Sequence, residues 1–318
     1  MGKTALLFPG QGAQKVGMGR DFHESRPASR KIFDRAREVL GWDVAKLCFE
    51  GPKDELDRTA RSQPAMLTVS VAILRAMEAD MPELAAKVEA AAGLSLGEYS
   101  ALVAAGAIAF DDALRLVERR GQYMEVSCRE KPGGMVSVLG LSPDQVRAIC
   151  AESGGDAVAA NFNSPGQVVV SGSEAALDKV AALAKERGAK RSIRLPVEGA
   201  FHSPHMASAG AKLAEDLKKA QFAPARFAVV ANVTANYVRA PEEIKPCLAA
   251  QVTSSVLWQQ SMERLVADGF DTFFEVGEGE VLTGLMRRIV AATPIAATAK
   301  IASISTVEAL RKLKAQGV

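Results

Sequence analysis

Val88-Glu89-Ala90-Ala91-Ala92-Gly93-Leu94-Ser95-Leu96-Gly97-Glu98-Tyr99-Ser100-Ala101-Leu102-Val103-Ala104-Ala105-Gly106 reads as a strand, a tight turn and a helix. The strand, Val88 to Ala92, is apolar but alanine-rich, and so weak by β-propensity. The helix, Tyr99 to Ala105, is stopped by Gly106, with Glu98 placed where a negative charge favours the first turn. Between them Gly93-x-Ser95-x-Gly97 can strain a serine backbone, expose its hydroxyl and aim backbone N–H groups at a developing oxyanion. The same short pattern also occurs in ordinary turns, so its chemistry depends on partners elsewhere in the chain.

Working outward, Lys3 to Phe8 is a short strand of buried type. Pro9-Gly10-Gln11-Gly12-Ala13-Gln14 follows as a loop at its carboxyl end, where open α/β sheets bind ligands. Helical periodicity runs from about Ser29 to Leu40, from Gln63 to Met77, and from Phe110 to Cys128. The texture changes after Pro132-Gly133-Gly134. Strands are expected at Met135–Gly140, Ala157–Phe162, Gln167–Ser171 and Arg191–Val197, with helices at Ser142–Glu152 and Ser173–Arg187. That β-α-β-β-α-β order is the ferredoxin-like pattern. The expected fold is therefore α/β: an α/β-hydrolase-like large domain, residues 1–131 and 199–318, with an inserted ferredoxin-like small domain, residues 132–198.

Composition narrows the function classes. The chain has 318 residues, 48% hydrophobic and 24% charged, within the range of soluble globular enzymes. A net charge of +2, without a basic stripe interleaved with aromatics, argues against nucleic-acid binding. Cys48, Cys128, Cys150 and Cys247 form no Cys-x-x-Cys pair, which argues for reduced thiols in a cytoplasmic protein and against a metal or disulfide framework. The apolar run Thr4–Phe8 ends at Pro9, too soon for a signal peptide. Leu6 stands where a myristoylation motif after Gly2 wants Ser or Thr, and no apolar run is long enough to span a membrane.

A serine nucleophile needs a base. The chain offers His23, His202 and His205. His23 lies in a polar, Arg-rich stretch and reads as a surface residue. His202 and His205 lie in Gly199-Ala200-Phe201-His202-Ser203-Pro204-His205-Met206, where a strand gives way to a loop, and on chemistry alone either could serve. No acidic third member is apparent.

Seven motifs, in order along nearly the whole chain, closely resemble the acyltransferase family of fatty acid and polyketide synthesis, which includes the malonyl-CoA:acyl carrier protein transacylases. They are Gly10-Gln11-Gly12, Ser62-Gln63-Pro64-Ala65, Gly93-Leu94-Ser95-Leu96-Gly97-Glu98-Tyr99, Arg120-Gly121, Asn161-Phe162-Asn163-Ser164-Pro165-Gly166-Gln167, Ala200-Phe201-His202-Ser203 and Glu275-Val276-Gly277.

The resemblance implies Ser95 as nucleophile, His202 as general base, and the backbone carbonyl of Gln251 steadying the histidine, which removes the need for an acidic third member. It implies an oxyanion site made by the backbone N–H groups of Gln11 and Leu96. It further implies Arg120 as a clamp on the free carboxylate of malonate, Gln63 and Asn163 near the substrate, and Phe201 as the malonyl-selecting neighbour of the histidine. Leu94 departs from the family, which usually has histidine there. Malonyl-CoA is then the substrate and acyl carrier protein the acceptor, with no metal and no tightly bound cofactor, in a monomer. The cations Lys190, Arg191, Arg194, Arg287 and Arg288 are candidates to steer an acidic carrier. A serine hydrolase such as a thioesterase shares serine, base and oxyanion hole, but would leave Arg120 without a task. A non-catalytic carrier-protein scaffold would leave the whole set without one.

Overall fold

A computed structural model describes residues 2–317. Its strands, in chain order, are β1 (Lys3–Phe8), β2 (Val88–Gly93), β3 (Gly134–Leu139), β4 (Ala157–Ser164), β5 (Gln167–Gly172), β6 (Arg191–Arg194), β7 (Ala228–Val230), β8 (Tyr237–Val238), β9 (Phe270–Val276) and β10 (Lys300–Ile304). They form a six-stranded sheet in the order β10-β9-β1-β2-β7-β8 and a four-stranded sheet in the order β4-β5-β3-β6.

In the larger sheet every neighbouring pair is parallel except β7 and β8. A parallel sheet must be covered on both faces, and the period-two alternation of β1 shows how this chain does it. Leu6 and Phe8 enter one apolar layer, with side chains from the helices Thr59–Asp80 and Phe110–Glu130. Ala5 and Leu7 enter the other, with Trp258, Met262, Leu285 and Met286 from the helices Trp258–Ala267 and Val281–Val290. The alanines of β2 are poor strand formers, but tertiary packing overrides propensity: Ala90, Ala91 and Ala92 are wholly buried between β1 and β7.

The smaller sheet is antiparallel throughout. The helices Pro143–Glu152 and Glu174–Glu186 bury Val146, Ile149, Leu177 and Val180 against one face, over Val136, Val138, Val168 and Val170. Met135, Ala160 and Val169 instead join the apolar layer of the larger sheet. Two backbone bonds tie the units directly: Phe162 N–H donates to Val256 O at 2.9 Å and Val256 N–H to Ala160 O at 2.8 Å. Register shifts in β4 between Ala159 and Asn161 and between Phe162 and Ser164 mark where the strand bends to allow this.

The elements depart from expectation in two instructive places. The helix expected from Gln63 begins at Thr59, with Pro64 inside it. Its first N–H groups are satisfied by distant carboxylates, Thr59 N–H by Glu198 Oε2 at 2.9 Å and Ala60 N–H by Glu125 Oε1 at 2.8 Å, so no local capping signal exists to read. The last strand of the small sheet stops at Arg194, where Val197 was expected. Leu195 still donates to Met135 O, and Pro196 then has no N–H with which to continue.

Candidate active site

Ser95 sits between the end of β2 and the helix Gly97–Ala104 with φ of 54°, a left-handed backbone that costs a non-glycine residue about 1–2 kcal/mol. Sterics allow this turn to form with glycine on both sides. A Cβ on Gly93 would lie 1.9 Å from the Gly97 carbonyl carbon, and one on Gly97 would lie 2.1 Å from Phe8 O. The strained serine is held by Asn232, which follows β7: its Oδ1 accepts from Ser95 N–H at 2.7 Å, and its Nδ2 donates to Gly93 O at 2.7 Å.

His202 shares this conformation, with φ of 57°. Its neighbours are braced on both sides, Phe201 O accepting from Ser171 Oγ and Ala200 O accepting from Ser203 Oγ at 2.6 Å. Its Nδ1 lies 2.8 Å from the Gln251 main-chain oxygen and its Nε2 lies 2.8 Å from Ser95 Oγ. A carbonyl only accepts, so Nδ1 carries the proton and the lone pair of Nε2 faces the serine. Burial, helped by the nearby positive charge of Arg120, holds the imidazole down to about 4, below its usual 6.5. At neutral pH it is therefore an unprotonated acceptor beside a hydroxyl.

Arg120, from the helix Phe110–Glu130, is 1% exposed and forms no ion pair among the described residues. Nη1 donates to Gln63 Oε1 at 2.6 Å; Nη2 donates to Ser95 Oγ at 3.0 Å and to Gln251 Oε1 at 3.0 Å. Its Nε has no partner, and its guanidinium carbon lies 5.8 Å over the Tyr99 ring. Desolvation pulls its pKa down. A buried, unpaired cation beside a hydroxyl is an unmet demand for an anion.

Ser95 and His202 open into a cleft of about 190 Å³ between the two sheets, with Arg120 buried behind Ser95. Gln11, Leu94, Ser95 and His202 line it from the larger unit, and Met135, Asn161, Asn163 and Val169 from the smaller. Phe201, 5% exposed, forms part of the wall. The Oδ1 atoms of Asn161 and Asn163 are buried without a hydrogen-bond donor among the described residues. Gln11 anchors its side chain on Thr59 Oγ1 at 3.1 Å, and Leu96 is the buried residue leading into the helix after Ser95. Gln63 is fully buried and lies against Arg120 rather than the cleft wall. His205 is turned away onto Asp156 at 2.9 Å, and His23 packs its ring at 5.4 Å from that of Phe33.

The structure thus brings Ser95, His202, Gln251, Arg120 and Gln63 into one hydrogen-bonded cluster, with Gln11, Asn163 and Phe201 at the cleft beside it. Three participants escaped the sequence reading: Asn232, Glu98 as a network member, and the side chain of Gln251. The signal for Asn232 was a polar residue just past a short apolar strand, Ala228-Val229-Val230-Ala231. Among the described residues no group of three or more His, Cys, Asp or Glu side chains is placed to hold a metal ion.

The acyl transferase domain family model matches residues 5–312. The malonyl CoA-acyl carrier protein transacylase of Bacillus subtilis is 41% identical over 292 residues, 91% of each chain. An acyl carrier protein S-malonyltransferase from Vibrio cholerae superposes with a TM-score of 0.91 at 38% identity, covering 98% of this chain and 99% of the other. A malonyl-transacylase solved in complex with its type II PKS acyl-carrier protein superposes with a TM-score of 0.90 at 36% identity, covering 98% of both. This chain belongs to the acyl transferase domain family, among the malonyl CoA-acyl carrier protein transacylases.

Proposed function

We propose that this chain transfers a malonyl group from malonyl-CoA to the phosphopantetheine thiol of acyl carrier protein, by way of a malonyl ester of Ser95, in support of fatty acid synthesis. One convergence carries the reading: His202 Nε2 at 2.8 Å and Arg120 Nη2 at 3.0 Å meet on the same Ser95 hydroxyl. A base and a carboxylate-binding cation share one nucleophile.

In the first half-reaction Ser95 passes its proton to His202 Nε2 and its Oγ bonds to the thioester carbonyl carbon. The oxyanion is met by the N–H groups of Gln11 and Leu96, one such donor being worth about 3 kcal/mol in other enzymes. Collapse breaks the carbon–sulfur bond, and coenzyme A leaves with the proton from His202. In the second half-reaction the carrier thiol gives its proton to His202 and its sulfur attacks the ester. Ser95 departs reprotonated, and the kinetics are ping-pong. Gln251 O holds the imidazole tautomer throughout, in the role an acidic side chain fills in other triads.

Arg120 chooses the acyl group. The malonyl carboxylate meets a cation that is already desolvated and fixed, whereas acetyl leaves it unpaired, at a cost of about 1–3 kcal/mol or more. Phe201 crowds the α-carbon and disfavours methylmalonyl, a weaker discrimination of about 1–3 kcal/mol. The unpartnered oxygens of Asn161 and Asn163 suit the amide N–H groups of the pantetheine arm.

The same reading takes the chain as a large α/β-hydrolase-like unit, 1–131 and 199–318, carrying a ferredoxin-like insertion, 132–198. Support comes from the four antiparallel strands and two helices that run consecutively from Gly134 to Arg194, and from the serine turn at the end of β2. The outermost residues of that division, Met1 and Val318, lie outside the described residues. We take the working unit as a cytoplasmic monomer without a tightly bound cofactor, since serine, base and cation come from one chain. No helix among the described residues is long and apolar enough to cross a membrane. A second reading, service to a polyketide carrier, is favoured by the likeness to a transacylase solved with a type II PKS carrier.

Intact-protein mass after brief exposure to malonyl-CoA, with Ser95→Ala alongside, tests the proposal. A malonyl adduct on the unaltered protein alone, discharged onto carrier protein faster than into water, is the expected result. An adduct that only hydrolyses overturns it in favour of a hydrolase.

A further inference from the structure

Glu98 is a buried carboxylate with no part in the chemistry above. It lies in the first turn of the helix behind Ser95 and is 1% exposed. One oxygen, Oε2, accepts from Gln251 Nε2 at 2.7 Å and from Asn232 N–H at 3.1 Å. Burial pushes its carboxyl up to about 7, against the pull of Asn232, Gln251 and Arg120.

The amide of Gln251 has a donor end and an acceptor end, and its neighbours distinguish them. The donor end faces Glu98 Oε2 and, at 3.0 Å, Ser95 O. The acceptor end faces Arg120 Nη2 at 3.0 Å. Turned over, the amide would set N–H against the N–H of the guanidinium and oxygen against three acceptors, Asn232 Oδ1 at 3.4 Å being the third, in a fully buried place. The second acceptor for Arg120, Gln63, has its own donor end on a weak partner, Met124 Sδ at 3.3 Å. Among the described residues, then, Glu98 is the acidic group whose acceptor oxygen decides how Gln251 receives Arg120. Ser95 N–H is held by Asn232 Oδ1 and His202 Nδ1 by the main chain of Gln251, while the Gln251 amide reaches Ser95 only at its main-chain oxygen.

We propose that Glu98 is a positioning residue for acyl-group selection: by fixing the Gln251 amide it sets the angle at which Arg120 is presented to the carboxylate of the incoming acyl chain. The proposal rests on the reading of Arg120 as the partner of that carboxylate. It predicts a larger effect on selection than on nucleophilicity, because the amide accepts from Arg120 and reaches only the main-chain oxygen of Ser95, whereas the Gln251 main chain holds His202.

The test uses the full chain with Glu98→Leu, Glu98→Gln and, as reference, Arg120→Ala. Rapid-quench mass spectrometry gives the rates of Ser95 acylation by malonyl-CoA and by acetyl-CoA. Labelling by phenylmethylsulfonyl fluoride, an uncharged reagent, reports the serine–histidine pair without a carboxylate for Arg120 to bind. Glu98→Leu is expected to lower the malonyl-to-acetyl ratio about tenfold or more, with sulfonylation slowed by a much smaller factor than malonylation. Glu98→Gln, which keeps an oxygen acceptor, is expected to restore most of the ratio.

An unchanged ratio in Glu98→Leu, or sulfonylation slowed by the same factor as malonylation, overturns the proposal. An unchanged ratio in Arg120→Ala overturns instead the underlying reading of the arginine. Should Glu98→Leu not fold, Gln251→Met removes the amide and keeps the carbonyl, so it must show the same loss of ratio. The double variant Glu98→Gln with Gln251→Met must then show no further loss, and a further loss or an unaltered ratio counts against Glu98 acting through Gln251.

Discussion

Arg120 Nη2 donates to Ser95 Oγ at 3.0 Å, so the cation proposed to receive the acyl carboxylate rests on the proposed nucleophile itself. On that proposal, a substrate that brings its own carboxylate should give the guanidinium a better partner and release the hydroxyl for attack. Binding of the correct acyl group and readiness of the serine should then be linked through one nitrogen.

Arg120→Ala should therefore cut malonyl transfer by about two decades and raise the relative use of acetyl-CoA. Arg120→Lys should recover little, since an ammonium cannot reproduce the bidentate grip on a carboxylate. Steady-state rates with the two thioesters check this, and unaltered malonyl preference in Arg120→Ala would contradict it.

The acid limb of kcat/KM for malonyl-CoA should lie near the depressed value of His202. With the free-enzyme imidazole at about 4, the base stays unprotonated as pH falls through 6.5, and acylation stays flat until it declines towards about 4. The linked stability has the same sign: the contribution of His202 is present above 6.5 and lost as pH falls through about 4. Glu98 runs oppositely, its contribution being lost as pH rises through about 7. A pH–rate profile in single turnover is decisive, and an acid limb centred near 6.5 would refute the burial argument.

Asn232→Ala should destabilise the fold and slow acylation together. It strips the acceptor from Ser95 N–H and the donor from Gly93 O, while a left-handed serine remains to be held. A loss of about 1–3 kcal/mol in urea unfolding is expected for a buried group left unpaired. Full stability in this variant would mean that the packing of Gly93 and Gly97 alone holds the turn.

Carrier delivery should depend on salt and on selected cations. Arg194 is engaged with Glu174 at 3.0 Å and Asp178 at 2.7 Å, whereas Lys190, Arg191 and Arg287 are exposed and appear in no ion pair among the described residues. Charge reversal at Arg191 and Arg287 should slow transfer to carrier protein, more so at low ionic strength, and leave acylation by malonyl-CoA intact. Stopped-flow measurement of the two half-reactions separates these, and a salt-independent carrier step would exclude electrostatic steering.

Much of the fold was legible because its signals are local. The strand, serine turn and helix around Ser95 announce themselves through two glycines whose missing side chains let β1, β2 and the following helix touch. The β-α-β-β-α-β order between Gly134 and Arg194 followed from alternation, capping serines and turns; the last strand was read too long where Pro196 intervenes, and the helix from Thr59 was read too short where distant carboxylates stand in for a cap. Ser95, His202, Arg120 and Gln251 could be named through family resemblance, yet spacing alone left His202 and His205 equivalent. They are three residues apart, and only the tertiary fold turns one onto Ser95 and the other onto Asp156. The sequence by itself determined which residue types were available and which segments would be strands, turns and helices, since those depend on neighbours along the chain. The tertiary structure alone decided the depressed imidazole, the unpaired guanidinium and the Glu98–Gln251–Asn232 network, since these depend on burial and on contacts more than a hundred residues apart, such as Glu98 with Gln251.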